Sequence, residues 1–132
     1  MIVLDASAVV EVVAHRRIDA LPDRLNQGGT LHAPHLIDVE VTNAIRGLVS
    51  RGELSIDVAW GARADAAEMS ITLYPHALLL ERAWQLRDTL STYDAVYVAL
   101  AELLPAPLVT CDARLAAAHG HDAEIELFAL EP

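Results

Sequence analysis

Five short apolar or β-branched runs, at residues 2–4, 30–33, 71–74, 107–110 and 125–130, are separated along the chain by helix-forming stretches. This alternation constrains the fold more than any other feature. Strands that alternate with helices pair in parallel through crossover connections, which makes an α/β sandwich. Helices are expected at 8–14 behind Ser7 as N-cap, at 18–26, and at 35–50 with Pro34 in the first helical position. Further helices are expected at 56–69, 77–87, 93–104 and 113–119. In such sheets ligands collect beyond the carboxyl ends of the strands. The side chains that follow each strand are therefore the first candidates for a site.

A length of 132 residues fits one domain, and a hydrophobic share of 54% argues against disorder. Cys111 is the only cysteine, so neither an internal disulfide nor a thiolate zinc cage can form. The opening Met1-Ile2-Val3-Leu4-Asp5 has no basic n-region and does not read as a signal peptide. No apolar run approaches the ~20 residues of a membrane span. The expectation is a soluble, cytoplasmic protein with no membrane partner.

The net charge is −10, and all nine cations are arginines. The absence of lysine removes P-loop, Schiff-base and lysine-dependent phosphotransfer chemistry. An acidic chain also argues against nucleic-acid binding, because affinity for phosphate comes from Lys and Arg. The exception is a site whose acids hold a metal that then meets the phosphate.

Three aspartates fall where such a site would lie. Asp5 follows the first strand, Asp112 follows the 107–110 strand, and Asp94 opens a helix behind Ser91-Thr92. Each has a plainer role. Asp5 and Asp112 could serve as helix N-caps, worth roughly 1 kcal/mol each. Asp94 could be an acid favoured by the helix dipole. Three on one rim are harder to dismiss, since two carboxylates ~4 Å apart repel by about 4 kcal/mol at an effective dielectric near 20. Such a group persists when protonated or paired with a cation. Aspartate oxygens with room for water suit Mg²⁺ or Mn²⁺.

A fourth acid would come from the 35–50 helix, whose apolar stripe runs through Ile37, Val41, Ala44, Ile45 and Leu48. At about 100° per residue, Asp38 lies ~60° from Val41 on one side and Glu40 ~100° on the other. The helical wheel leaves the choice between them open.

Four segments together resemble a PIN domain. They are Ile2-Val3-Leu4-Asp5-Ala6-Ser7-Ala8, Val39-Glu40-Val41-Thr42-Asn43-Ala44, the stretch Thr92-Tyr93-Asp94-Ala95-Val96-Tyr97 with the residues to Ala101, and Leu108-Val109-Thr110-Cys111-Asp112-Ala113-Arg114-Leu115. Their order, their spacing and the chain length are similar to the VapC toxins of bacterial toxin–antitoxin pairs. The resemblance covers essentially the whole chain. It implies a single domain over residues 1–132, built as a three-layer α/β/α sandwich around a mainly parallel sheet.

It further implies a Mg²⁺-dependent endoribonuclease in which Mn²⁺ can substitute. RNA is the implied substrate, in some members a tRNA loop. A small cognate antitoxin is the implied partner, and a homodimer the implied assembly. Carried over by position, Asp5, Glu40, Asp94 and Asp112 form the acidic quartet. Asp5, Asp94 and Asp112 are the implied metal ligands, and Glu40 a water-positioning acid. The resemblance thus selects Glu40 over Asp38. Ser7 and Thr110 are expected to hydrogen-bond within the cluster.

Competing enzyme classes fit less well. A receiver-like phosphoacceptor needs a lysine. A haloacid-dehalogenase-like phosphatase needs an aspartate at position 7, which is serine, and the dinucleotide fingerprint G-x-G-x-x-G is absent. The remaining alternative is a non-catalytic module of the same fold that binds RNA or protein. His119 and His121 form an H-x-H pair without a third ligand, and His32, His35 and His76 read as structural. Trp60 and Trp84 are expected to be core or interface anchors.

Overall fold

The computed structural model describes residues 1–129. Five strands form one sheet in the order β3-β2-β1-β4-β5. They are β1 (Ile2–Leu4), β2 (Leu31–Pro34), β3 (Ile71–Tyr74), β4 (Leu108–Thr110) and β5 (Ile125–Leu127). Every pairing is parallel. The middle strands β1 and β4 are buried along their whole length, as expected of strands covered on both faces. The strand order reverses direction at β1, so the crevice above β1 and β4 is the topological switch point of the sheet.

The helices are α1 (Ala6–Val10), α2 (Ala20–Leu25), α3 (Leu36–Ser50), α4 (Ile56–Glu68), α5 (Leu80–Gln85), α6 (Thr92–Leu103) and α7 (Ala113–Ala116). They flank the sheet in two groups. Helices α1, α3 and α4 pack on one another, while α5 packs on α6, which lies along β1, β2 and β4. Helix α6 is capped by Ser91, whose Oγ accepts from Asp94 N–H, and residues Ala95 to Ala101 are all buried. A helix apolar on every side belongs in the middle of a fold. No helix among the described residues is long and apolar enough to cross a membrane.

Several local expectations are corrected. Asp5, not Ser7, caps α1: its Oδ1 accepts from Ala8 N–H at 3.1 Å, which frees Ser7 Oγ to donate to Asp5. Pro34 ends β2 instead of opening α3, where its missing N–H costs nothing because the strand stops there. The α3 N-terminus draws its acceptor from elsewhere, as Leu36 N–H donates to His76 Nε2 at 2.8 Å. After Val10 the first helix widens into a π-helix over Glu11–His15, closed by Arg16 at φ 54°. The 77–87 helix is a 3-10 turn (His76–Leu78) followed by α5, and α7 stops at Ala116. The last strand ends at Leu127, and the expected strand end at Leu130 lies outside the described residues. Trp60 and Trp84 are 65% and 68% exposed, so neither is a core residue.

Candidate active site

Asp5 stands at the carboxyl end of β1 and is buried. Its Oδ1 accepts from Ser7 Oγ at 2.7 Å and from Ala8 N–H, and its Oδ2 accepts from Thr110 Oγ1 at 2.7 Å. Thr110 closes the adjacent strand β4 and accepts from Asp112 N–H at 3.0 Å. Cys111 N–H donates to Ser7 Oγ at 2.9 Å. The ends of β1 and β4 are thus sewn together by two hydroxyls, and Asp5 and Asp112 flank the seam. Burial outweighs these hydrogen bonds and, with the nearby Asp112 charge, pushes the Asp5 carboxyl up to about 6.

Asp112 caps α7, with Oδ1 accepting from Arg114 N–H and Leu115 N–H. Asp94 lies in the first turn of α6. The capping and dipole roles open from sequence are therefore real, and they coexist with clustering. One side chain ties the two acids: Arg114 Nη2 donates to Asp94 Oδ2 at 2.8 Å and to Asp112 Oδ2 at 3.2 Å.

Glu40 enters from α3. Its Oε1 accepts from Tyr97 Oη at 2.6 Å, which joins α3 to α6 across the site. Burial raises the Glu40 carboxyl above its ordinary value, and the Asp94 charge pushes the same way. Tyr97 is fully buried, and desolvation together with Glu40 drives its phenol far above the normal range, so it stays a proton donor. Sequence reasoning did not single out Tyr97. The signal was present, since Tyr97 follows Asp94 by three positions and so shares its helix face. Asp38 is exposed and lines a different cavity, together with Val9, Arg63 and Ile71.

Among the described residues, no three carboxylate, imidazole or thiol groups stand close enough to hold a metal ion as placed. Arg114 instead bridges two of the acids, with Nη2 2.8 Å from Asp94 Oδ2 and 3.2 Å from Asp112 Oδ2. The donor set still fits a hard divalent cation: it is all oxygen, and Asp5 Oδ2, which accepts only from Thr110, keeps a lone pair. A guanidinium already bridging two of the acids is a stand-in for that charge.

The other polar candidates have structural partners. His32 is buried, with Nδ1 at 2.7 Å from Tyr74 Oη and Nε2 at 2.6 Å from Thr30 Oγ1, and burial lowers its pKa. His121 bonds Ala118 O and accepts from Ala123 N–H. Burial and the Asp5 charge push the Cys111 thiol up to about 12, so it is no nucleophile at neutral pH.

A family model described as PIN domain matches residues 2–120. Ribonuclease VapC12 of Mycobacterium tuberculosis is 46% identical over 129 residues, spanning 98% of this chain and 100% of the relative. The chain belongs to the PIN-domain VapC family. Among solved structures, this VapC chain is similar to PAE2754 from Pyrobaculum aerophilum, with a TM-score of 0.67 and 25% identity over 94% of this chain and 81% of that one. VapBC2 from Rickettsia felis, solved bound to a DNA fragment from its promoter, shares the fold at a TM-score of 0.69 and 14% identity, covering 96% and 98% of the two chains. The three-layer architecture expected of the family is the one found.

Proposed function

We propose that this VapC chain is a metal-dependent endoribonuclease, with Mg²⁺ or Mn²⁺ as the ion, and the toxin of a toxin–antitoxin pair. One observation carries the reading: Thr110 joins Asp5 to Asp112 and Arg114 joins Asp112 to Asp94, while Glu40 meets Tyr97, which lies one turn beyond Asp94 on α6. The near full-length similarity to a protein named as a ribonuclease supports it.

Asp5, Asp94 and Asp112 would hold the cation, which lowers the pKa of bound water and neutralises charge on a phosphodiester. The chain's own part follows from the geometry. Asp5 is fixed at both oxygens by Ser7, Ala8 and Thr110, so its direction is set before any ligand arrives. Tyr97 occupies Glu40 Oε1 and leaves Oε2 to take a proton from the attacking water. In-line attack would leave a 5′-phosphate and a 3′-hydroxyl.

A small antitoxin is the expected partner, in line with the paired proteins of the Rickettsia felis neighbour, and a homodimer is the expected assembly. A tRNA loop suits the site, because unpaired bases can be splayed out of a loop. The test is cleavage of total RNA by the purified chain. Activity should vanish in EDTA and return with Mg²⁺ or Mn²⁺. Full activity in chelator, or restoration by zinc alone, would overturn the assignment.

A further inference from the structure

We propose that the cleft beside Glu40 is the subsite for one unpaired nucleotide of the RNA strand, with the phosphodiester oxygens held by Arg46 and Arg51; this rests on the nuclease reading above. The cleft measures about 620 Å³, within the ~300–1,000 Å³ range of small-ligand sites. Ser7 and Glu40 form its border with the acidic rim, and Arg17, Arg46 and Arg51 lie along it. Three of the chain's nine cations therefore line one depression that opens onto the rim. In a chain of net charge −10 most of the surface repels an RNA backbone, and here three arginines offset the carboxylates of Glu11 and Glu40.

Each arginine reaches the cleft for a local reason. On α3, Glu40, Asn43, Ala44, Gly47 and Arg51 follow one another at helical spacing and so share a face. Ala44 and Gly47 keep that face low. A Cβ on Gly47 would stand 3.0 Å from Arg51 Nη1, so the glycine lets the guanidinium lie against the helix. Arg46 pairs with no carboxylate among the described residues. Its Nε donates to Asn43 Oδ1 at 3.2 Å, which orients the guanidinium and leaves both terminal nitrogens as donors. Arg17 is different: its Nε donates at 3.2 Å to Glu11, a buried carboxylate that also lines the cleft, so that pair is neutral overall. Arg51 shares its charge with Glu53 at 3.2 Å, but both are more than half exposed, which makes the pair weak. Arg46 and Arg51 are left as the phosphate ligands. Arg114, on the acids themselves, is not part of the cleft lining.

The test is RNA affinity as a function of salt. A fluorescent single-stranded RNA octamer is titrated by anisotropy with the Asp94→Asn chain in EDTA, alone and with Arg46→Ala plus Arg51→Ala. A third protein carries Arg87→Ala, which removes a charge away from the cleft. The double substitution should weaken binding at least tenfold at low salt and reduce the log–log salt slope by about 0.7, the value for the one phosphate no longer neutralised. Arg87→Ala should change affinity less than twofold, and melting temperatures should agree among the three. A double variant indistinguishable from Arg87→Ala overturns the subsite, as does the absence of RNA binding by all three proteins. So does a double variant that binds RNA normally but no longer binds an acidic poly-glutamate peptide, which would make the cleft a protein site. Metal-dependent cleavage by the native chain is measured separately. If cleavage stands while the salt slopes are equal, the subsite falls and the nuclease reading remains.

Discussion

Arg114 Nη2 donates to Asp94 Oδ2 at 2.8 Å, joining the first turn of α7 to the first turn of α6. The same nitrogen reaches Asp112. The acids at this rim therefore do not face one another bare. A guanidinium reduces their repulsion, and under the proposed metal-dependent reading it would give way to a divalent cation.

Arg114→Ala should accordingly raise affinity for Mn²⁺. The arginine side chain is two-thirds exposed, so the effect is modest, roughly two- to fivefold. Isothermal titration with Mn²⁺ on the native and substituted chains checks it. A loss of affinity would mean that Arg114 organises the carboxylates instead of competing for them.

Asp5 predicts a pH dependence of stability. Its carboxyl is raised from 3.8 to about 6 in the folded chain, so the folded state holds a proton that the unfolded state has already lost. The stabilising proton is fully present below about pH 4 and is lost as pH rises through 6. Over the whole titration, complete by about pH 7, the metal-free chain should lose about 3 kcal/mol from this group. Melts in EDTA from pH 4 to 8 should show that loss in the native chain and not in Asp5→Asn. Parallel pH profiles would refute the burial argument.

Much of this was legible from sequence, for identifiable reasons. The alternation of strands and helices sets a parallel sheet, and the residues after β1 and β4 must then meet at one edge. Asp5 and Asp112 could be placed on that basis alone. The choice of Glu40 over Asp38 came from the motif resemblance, because both border the same apolar stripe of α3, and the contact of Glu40 with Tyr97 emerges only from the packing of α6. Arg114 was also hidden. Its role depends on a twenty-residue separation from Asp94 that only the fold closes. The π-helix at Glu11–His15, in which Glu11 and Val13 are buried, has no sequence signal. The core half of the reading of Trp60 and Trp84 failed because residue type suggests burial, whereas the helix face decides it.

Tyr97→Phe should separate orientation from charge at Glu40. The variant keeps the buried ring and loses a hydrogen bond to a carboxylate, which costs about 1.5–3 kcal/mol. Cleavage should fall about tenfold, against the 10²–10⁴-fold expected when a proton acceptor is removed by Glu40→Gln. Asp38→Asn should be unaffected. Equal rates for Glu40→Gln and Asp38→Asn would break the assigned quartet.

The central claim is that Asp94 acts with the other acids on a cation, beyond its place in the first turn of α6. Thermal melts of the native chain and of Asp94→Asn, each with EDTA and with Mg²⁺, test it most directly, with RNA cleavage followed in the same samples. Mg²⁺ should stabilise the native chain by mass action and the variant much less, and the variant should not cleave. In EDTA the two should melt within a few degrees, because the Asp94–Arg114 pair that is removed has its arginine two-thirds exposed. Equal stabilisation by Mg²⁺ in both chains, with cleavage retained, would contradict the account.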